Sequence, residues 1–202
     1  MTPPCIVLAG GRSSRMGGGD KCLLPLDGRP MLAHVLERVS PQVSTILINS
    51  NSAPDLFAQF GWPVLPDVIS GFQGPLAGLL TGMTWAAQSG ATHVASVACD
   101  TPFLPHDLVQ RLGAGLAVGE IAIARDPARS HPVIGLWPTA LASHLARDMA
   151  ENGIRGVHQW LRGQTVREVA FDATCFCNLN TRDDLRQAFR VTPFLEIHEG
   201  TQ

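Results

Sequence analysis

No apolar run in this chain is long enough to cross a membrane, because glycine, proline or a charged residue interrupts each one. The sequence also has no internal repeat and no low-complexity segment, and its formal net charge is only −2 over 202 residues. A broad nucleic-acid-binding surface needs a strongly basic face, which this charge balance does not favour. We therefore expect neither a membrane nor a nucleic acid among the partners.

Cysteine is scarce and irregularly placed. The five cysteines are an odd number, and no secretory signal follows the N-terminus, so we expect a reduced, cytoplasmic protein. Cys175 and Cys177 form a C-x-C pair, but no second pair and no histidine at zinc spacing accompanies them. We interpret both as buried strand cysteines. The sequence indicates no Ser-His-Asp or Cys-His triad.

A stretch rich in glycine and positive charge follows the first predicted strand. The apolar run 5–9 predicts a buried strand, and residues 8–21 then read LAGGRSSRMGGGDK, with five glycines. Glycine lets backbone N–H groups approach a ligand closely, and successive N–H groups form an anion-binding concavity. Arg12, Arg15 and Lys21 add positive charge. The combination predicts a cradle for a polyphosphate, and the alternative is a flexible surface loop with solvated charges.

The spacing of this stretch differs from two commoner phosphate-binding loops. A Walker A loop needs glycine directly before the lysine and serine or threonine after it, whereas Asp20 precedes Lys21 and Cys22 follows it. A dinucleotide fingerprint needs G-x-G-x-x-G at the start of a helix, whereas Gly10 and Gly11 are adjacent. Neither family of loops is therefore indicated.

The apolar patterns predict an α/β fold. Strands are expected at 5–9, 45–48, 63–65 and 93–98, alternating with helices at 30–40, 55–60 and 74–86. The second half adds helices at 107–116, 139–149, 153–161 and 182–189 and strands at 120–124, 133–136 and 166–171. Alternating βαβ units favour a parallel sheet, and the two consecutive strands favour some antiparallel pairing. We expect a three-layer Rossmann-like domain with a mostly parallel mixed sheet over residues 1–192, followed by a tail at 193–202.

Polar residues follow several of the predicted strands. Asn49, Asp67 and Asp100 each come at or just after a strand end, where open α/β sheets bind ligands. For Asn51 and Ser52, and also for Asp100, capping of the following helix or turn is the alternative. His131, in the polar link between the two consecutive strands, either faces a substrate or lies in a surface hairpin.

The helix that begins at Gly74 and Pro75 has small residues inside its first turns. These residues allow close approach of a base or of another backbone, so we interpret the segment from Gly74 to Gly78, with Leu76, as lining a nucleotide site. Helix–sheet packing is the alternative, because glycines would serve it equally well.

Four motifs together resemble one family. L-A-G-G-R-S-S-R-M-G-G-G-D-K is similar to the opening motif of nucleotidyltransferases, and its double glycine and R-M-G-x-x-D-K ending resemble the molybdenum cofactor guanylyltransferase family. The related cytidylyltransferases usually carry L-A-A-G instead. The stretches G-P-L-A-G, C-D-T-P and N-x-N-T follow in the family's order, so the resemblance covers about residues 5 to 190.

This resemblance implies a reaction and a set of site residues. The reaction is transfer of GMP from GTP to molybdopterin or its molybdenum-bound form, with release of pyrophosphate. Mg²⁺ would be held by Asp100, and Arg15, Lys21 and Asp100 would be catalytic. The nucleotide would be bound by Leu8, Ala9, Gly10, Gly11, Lys21, Asn49, Asp67, Gly74, Pro75, Leu76, Gly78 and Asp100, and the pterin by Asn178 and Asn180. We expect a monomer, with other molybdenum cofactor biosynthesis proteins as possible partners.

The expected chemistry needs no general base. The nucleophile is a phosphate monoester whose second pKa is near 6, so it is already largely an anion at neutral pH. Asp100 is therefore expected to bind a metal and not to accept a proton. The alternatives are an enzyme that uses CTP with the same pterin, a sugar-phosphate nucleotidyltransferase, and a nucleotide-binding regulator without catalysis. The presence of both Lys21 and Asp100 favours an enzyme over a regulator.

Overall fold

The computed structural model describes residues 2–10, 20–69, 71 and 74–176, which form a seven-stranded sheet, a separate two-stranded hairpin and helices. The strands are β1 (Cys5–Leu8), β2 (Pro25–Leu26), β3 (Arg29–Pro30), β4 (Ile46–Asn49), β5 (Val64–Leu65), β6 (His93–Ala98), β7 (Ile121–Arg125), β8 (Ser130–Pro138) and β9 (Val166–Ala170). The α-helices are α1 (Met31–Val39), α2 (Pro75–Gln88), α3 (Leu108–Gly113), α4 (Ala142–Glu151) and α5 (Val157–Leu161). No helix among these is both long and apolar enough to span a membrane.

The large sheet has the order β5-β4-β1-β6-β8-β7-β9. Neighbours are parallel from β5 to β6 and between β7 and β9, whereas β8 is antiparallel to both β6 and β7. Of the seven strands in this sheet, six therefore point in one direction. The mostly parallel mixed sheet, including its antiparallel part, is confirmed.

The strands carry apolar side chains on both faces, which produces two cores. In β1, Cys5 and Val7 pack into a cluster with α1 and α3, whereas Ile6 packs into a second cluster with α2, α4 and α5. The side chains of Cys5, Ile6 and Val7 are all fully buried. A strand covered on both faces is typical of a parallel sheet between two helical layers. The predicted three-layer architecture is therefore confirmed.

Helix α2 lies unusually close to the centre of the sheet. A Cβ atom on Gly82 would lie 2.6 Å from Ile6 Cγ2, well inside the normal separation of packed carbon atoms. Glycine within a helix costs about 1 kcal/mol relative to alanine. Here that cost is offset by the close packing of the helix on β1.

Several element boundaries differ from the predictions because of glycine. The helix predicted over 107–116 ends at Gly113, and Gly115 has a φ of +67°. The helix predicted over 153–161 begins only at Val157, after Gly153 with a φ of +63°. A positive φ is incompatible with a right-handed helix, so both segments are shortened.

The end of the described chain also differs from the prediction. Cys175 lies in a 3-10 turn, Ala173–Phe176, and is half-buried, so its assignment to a strand is wrong. Phe176, 2% exposed, packs into the core in its place and contacts the Phe171 ring. Cys177, the helix predicted over 182–189 and the tail at 193–202 lie outside the described residues. The single domain over 1–192 stays a prediction.

The β7–β8 hairpin is tighter than expected, because Ser130 and His131 belong to β8 and not to a polar link. Asp126 Oδ1 accepts hydrogen bonds from the N–H groups of Ala128 at 2.7 Å and Arg129 at 2.8 Å. His131 Nε2 donates to Asp126 Oδ2 at 2.8 Å, and His131 is only 6% exposed. The ordinary surface position expected for this histidine is therefore wrong, whereas its contact with a substrate stays a prediction.

We expect Asp126→Asn to destabilise the protein in a pH-dependent way. The hydrogen bond from His131 lowers the pKa of Asp126 to about 2 from its ordinary value of 3.8. A lowered carboxyl pKa stabilises the fold above the unfolded-state pKa, and this contribution is lost as the pH falls from about 4 to 2. Loss of a hydrogen bond to a charged group costs about 2 kcal/mol, which lowers Tm by about 4–8 °C at neutral pH.

The measurement is thermal unfolding of both proteins at several pH values. The difference in Tm between wild type and Asp126→Asn should shrink as the pH falls below about 4. Asp172→Asn, at an exposed carboxylate, is the control and should change Tm little at any pH. A Tm difference that stays constant down to pH 2 would contradict the expectation.

Candidate active site

The strand register brings the ends of four strands to one edge of the sheet. Leu8, the last residue of β1, pairs with Asn49 of β4 on one side and with Ala98 of β6 on the other. Asn49 pairs in turn with Leu65 at the end of β5. Because these strands are parallel, the loops that follow them start side by side at the carboxyl edge. Open α/β sheets bind their ligands at this edge.

An ion pair joins the segment after β1 to the loop after β6. Lys21 Nζ lies 2.8 Å from Asp100 Oδ2, and the two side chains are 15% and 22% exposed. Lys21 begins a 3-10 turn whose next residue, Cys22, is 1% exposed and anchors the turn in the core. Partial shielding from water strengthens the attraction between the two charges. Two of the three predicted catalytic residues are therefore in direct contact.

The backbone around Asp100 is held by its neighbour. Thr101 Oγ1 donates to the carbonyl oxygen of Ala98 at 2.8 Å, and Thr101 is 1% exposed. Helix α3 has Asp107 as its N-cap residue, so the alternative that Asp100 caps a helix is wrong. The Asp100 carboxylate is instead directed to Lys21 across the carboxyl edge of the sheet.

Two buried thiols adjoin this ion pair in sequence. A hydrogen bond with Cys22, together with burial, raises the pKa of the Cys99 thiol well above its usual value. Cys99 is 6% exposed. Because the thiolate is the nucleophilic form, a thiol with a raised pKa is unreactive at neutral pH.

A second polar cluster lies at the ends of β4 and β5. Asn49 Nδ2 donates to Asp67 Oδ1 at 3.0 Å and to the carbonyl oxygen of Leu65 at 3.2 Å. Asn51 Nδ2 donates to Asp67 Oδ2 at 2.8 Å, and Asn51 Oδ1 accepts from the Asp67 N–H at 2.9 Å. Asn49 is 4% exposed, whereas Asp67 is half-buried. The structure thus brings together two predicted nucleotide-binding residues, Asn49 and Asp67.

Sequence reasoning missed the role of the loop after β4. Ala53 is the N-cap residue of the following 3-10 helix, so the capping alternative for Asn51 and Ser52 is wrong. Asn51 pairs with Asp67, and Ser52 Oγ donates to Asp20 Oδ1 at 2.7 Å. The available signal was that polar residues follow neighbouring parallel strands, which places their side chains within reach of one another.

The predicted nucleotide-binding residues at the start of α2 include both exposed and buried ones. Gly74, with a φ of 148°, is the N-cap residue and Pro75 is the first helical residue, and both are exposed. Leu76 is 1% exposed, and a Cβ atom on Gly78 would lie 2.3 Å from Asn49 Oδ1. The packing alternative therefore describes Leu76 and Gly78 in this structure. Their contact with a nucleotide stays a prediction, as does that of the two exposed residues.

The end of β1 leads directly into the glycine-rich stretch. The Ala9 N–H donates to the carbonyl oxygen of Asn49 at 2.9 Å, and Ala9 is fully buried, whereas Leu8 is half-buried and Gly10 is exposed. The chain therefore emerges at the carboxyl edge at Gly10, as the predicted cradle requires. The predicted site residues that lie outside the described part of the chain are Gly11, Arg15, Asn178 and Asn180.

The donor set at this edge fits a divalent metal that is shared with a substrate. Within residues 2–10, 20–69, 71 and 74–176, no group of three or more His, Cys, Asp or Glu side chains is arranged to hold a metal ion. Asp100 is one partly exposed carboxylate. Mg²⁺ is commonly bound by one or two carboxylates together with substrate phosphates and water, which is the type of site that Asp100 can provide.

Two solved structures show the same fold as this chain. The Archaeoglobus fulgidus molybdopterin-guanine dinucleotide biosynthesis protein A has a TM-score of 0.70 and 24% sequence identity, covering 93% of this chain and 97% of that one. A Mycobacterium tuberculosis protein in complex with manganese has a TM-score of 0.70 and 20% identity, covering 95% and 100%. At these identities the likeness shows a common fold.

Sequence comparisons identify the family. The model of the MobA-like NTP transferase domain matches residues 5–168. A Mesorhizobium japonicum protein named molybdenum cofactor guanylyltransferase is 44% identical over 195 residues, covering 92% of this chain and 94% of its own length. The chain therefore belongs to the MobA-like NTP transferases and, among them, to the molybdenum cofactor guanylyltransferase family.

Proposed function

We propose that this protein transfers GMP from GTP to the phosphate of molybdopterin in its molybdenum-bound form, releasing pyrophosphate and forming the guanine dinucleotide cofactor. The observation that carries the proposal is the contact between Lys21 and Asp100 at the carboxyl edge of the sheet. Both residues stand in motifs that follow the order of the guanylyltransferase family. The names of the related proteins support the choice of GTP and of the pterin substrate.

The Lys21–Asp100 pair suits the transfer of a nucleotidyl group. Attack on the α-phosphorus concentrates negative charge on phosphate oxygens, and preorganised positive groups stabilise that charge. Lys21 is mounted on a turn that Cys22 anchors in the core, so its ammonium group is preorganised at this edge. We assign Lys21 to a phosphate of GTP, with Arg15 as a second cation.

Asp100 would hold Mg²⁺, which neutralises phosphate charge when it is bound. The present ion pair uses Oδ2 of Asp100 and keeps the carboxylate at the edge where the triphosphate would lie. The nucleophilic phosphate is already an anion at neutral pH, so no side chain has to accept a proton from it. The residues of this chain therefore act by binding and orienting two anionic substrates in line.

The Asn49–Asp67 cluster suits a guanine base. An ionised carboxylate only accepts hydrogen bonds, and the edge of guanine offers two adjacent donors, N1–H and the N2 amino group. Cytosine and adenine present a ring acceptor beside their amino group, which a carboxylate repels. We therefore assign Asp67 to the base and Asn49 to its support. Asn178 and Asn180 are proposed for the pterin.

The direct test is an assay of pyrophosphate release with GTP, CTP, ATP and UTP, each with Mg²⁺ and molybdenum-bound molybdopterin. We expect turnover with GTP at least tenfold faster than with the other three triphosphates. Faster turnover with CTP would identify a cytidylyltransferase, and activity only with a sugar phosphate would identify the other enzyme class. Nucleotide binding without any turnover on this panel would favour a regulator.

We expect Lys21→Ala to lower kcat/KM for GTP on the order of 10²-fold or more, because it removes a charge contact from the transition state. The matched control is Arg29→Ala, which removes the cation of an exposed ion pair, Arg29–Glu37 at 3.0 Å, on the β2–β3 hairpin. Steady-state kinetics of both variants, with Tm as a check of folding, gives the answer. Near-normal turnover by a folded Lys21→Ala protein would remove this lysine from the mechanism.

We expect Asp100→Asn to weaken the dependence of turnover on Mg²⁺. The change keeps the size of the side chain but removes the negative charge that would bind the metal. The Mg²⁺ concentration for half-maximal rate should rise on the order of tenfold, and GTP should still bind through the glycine-rich segment and the base contacts. Direct Mg²⁺ titration with GTP bound provides a second readout.

The control for this variant is Asp107→Asn at an exposed carboxylate, Oδ2 of which lies 3.9 Å from Arg111. It should leave the Mg²⁺ dependence unchanged. An Asp100→Asn enzyme with the wild-type Mg²⁺ dependence would mean that the metal is bound elsewhere.

A further inference from the structure

The carboxylate of Asp67 is held from two sides by amide groups. Asn49 Nδ2 donates to Oδ1 at 3.0 Å, and Asn51 Nδ2 donates to Oδ2 at 2.8 Å. Asn51 also accepts from the backbone N–H of Asp67 at 2.9 Å. Both functional groups of Asn51 are therefore used on a single residue, which lies 16 positions further along the chain.

This arrangement fixes the direction of the carboxylate without saturating it. An ionised carboxylate has about four acceptor sites, two on each oxygen, so each oxygen retains capacity for another donor. The next residue is fixed as well, because the Val68 N–H donates to Thr81 Oγ1 of α2 at 2.9 Å, and Thr81 is 4% exposed. Asp67 itself remains half-buried and accessible at the carboxyl edge.

We propose that Asn51 is a positioning residue for base selection: it orients the Asp67 carboxylate so that its two oxygens receive N1–H and N2–H of guanine together. The proposal rests on the proposed function, in which Asp67 binds the base. A carboxylate that can rotate binds a base with one donor about as tightly as a base with two adjacent donors. A carboxylate held at both oxygens discriminates between them, because only a base with two donors in the right places uses both sites.

Asn51 and Asn49 differ in how they support Asp67. Asn49 is 4% exposed, lies within β4, and its Oδ1 packs against Gly78 of α2, so its removal would also disturb the sheet. Asn51 is exposed and lies in the loop. A change at Asn51 therefore alters the support of the carboxylate with little effect on the core, which makes it the residue to test.

The experiment measures the dissociation constants of GTP and ITP, with Mg²⁺, for the wild type, Asn51→Ala and Asn51→Asp. ITP lacks the N2 amino group, so it keeps one of the two proposed donors. Loss of one hydrogen bond to a charged group should make wild-type binding of ITP about tenfold or more weaker than that of GTP. In Asn51→Ala the carboxylate loses one of its two amide donors, and the ITP/GTP ratio should fall to about threefold or less.

Asn51→Asp separates the two contacts of this residue. The new carboxylate can still accept from the Asp67 N–H, so the loop keeps its backbone bond, but it can no longer donate to Asp67 Oδ2 and repels it. The ITP/GTP ratio should therefore fall at least as far as in Asn51→Ala, although the backbone contact remains. A role in bracing the loop alone predicts instead that Asn51→Asp keeps the wild-type ratio.

The matched control is Asn152→Ala. Asn152 is an exposed asparagine at the end of α4 whose Nδ2 donates to Asp148 Oδ1 at 2.9 Å, the same kind of pair on an element that carries none of the proposed base contacts. Its removal should leave the ITP/GTP ratio unchanged.

A wild-type ITP/GTP ratio retained by both Asn51 variants would overturn the inference, and this includes the case in which both nucleotides lose affinity equally. Because binding is measured without the pterin substrate, the result is independent of turnover. A wild type that transfers GMP but binds ITP and GTP equally would refute the selection by Asp67 and Asn51 while leaving the proposed reaction intact.

Discussion

The ion pair between Lys21 and Asp100 is the interaction on which the arrangement of the active-site edge depends. It joins two segments that are 79 residues apart in sequence, and each partner is fixed by a buried neighbour: Cys22 in the turn after the glycine-rich stretch, and Thr101 in the turn after β6. A partly shielded pair of opposite charges favours a defined separation between these segments. Lys21 and Asp100 are also the groups that an incoming triphosphate and its metal would contact. The ion pair therefore keeps the two loops in place for the binding of both the triphosphate and the metal.

The fold and the position of the site were predictable because they depend on local patterns. Apolar runs such as Ile46–Asn49 and His93–Ala98 have strand length and are covered on both sides, so they indicate parallel strands. Once a sheet is parallel, the residues after its strands must meet at one edge. The meeting of Lys21 with Asp100 and of Asn49 with Asp67 follows from that rule together with the loop lengths.

The details that were not predictable depend on side-chain pairing between segments. Asp126 and His131 hydrogen-bond to each other inside the β7–β8 hairpin, which allows polar residues to begin β8 at Ser130, three residues before the start that periodicity alone predicts. Asparagine is a residue type favoured at helix caps, but the side-chain amide of Asn51 donates instead to the carboxylate of Asp67, which follows the neighbouring strand. In the first case the partner lies within the same hairpin, and in the second it is brought near by the pairing of β4 with β5.

The sheet order also places the end of β1 between the proposed base site and the proposed phosphate site. β1 is the central strand of the parallel part, with β4 and β5 on one side and β6 on the other. Adjacent strands lie about 4.8 Å apart, so the ends of β5 and β6 are roughly 14 Å from each other. On the proposed function, the base would bind beside Asp67 and the α-phosphate beside Asp100, with the end of β1 between them. In an in-line displacement the nucleophilic phosphate attacks the α-phosphorus opposite the leaving pyrophosphate, so the position of the pyrophosphate, and not that of the base, decides from which side the pterin phosphate must approach.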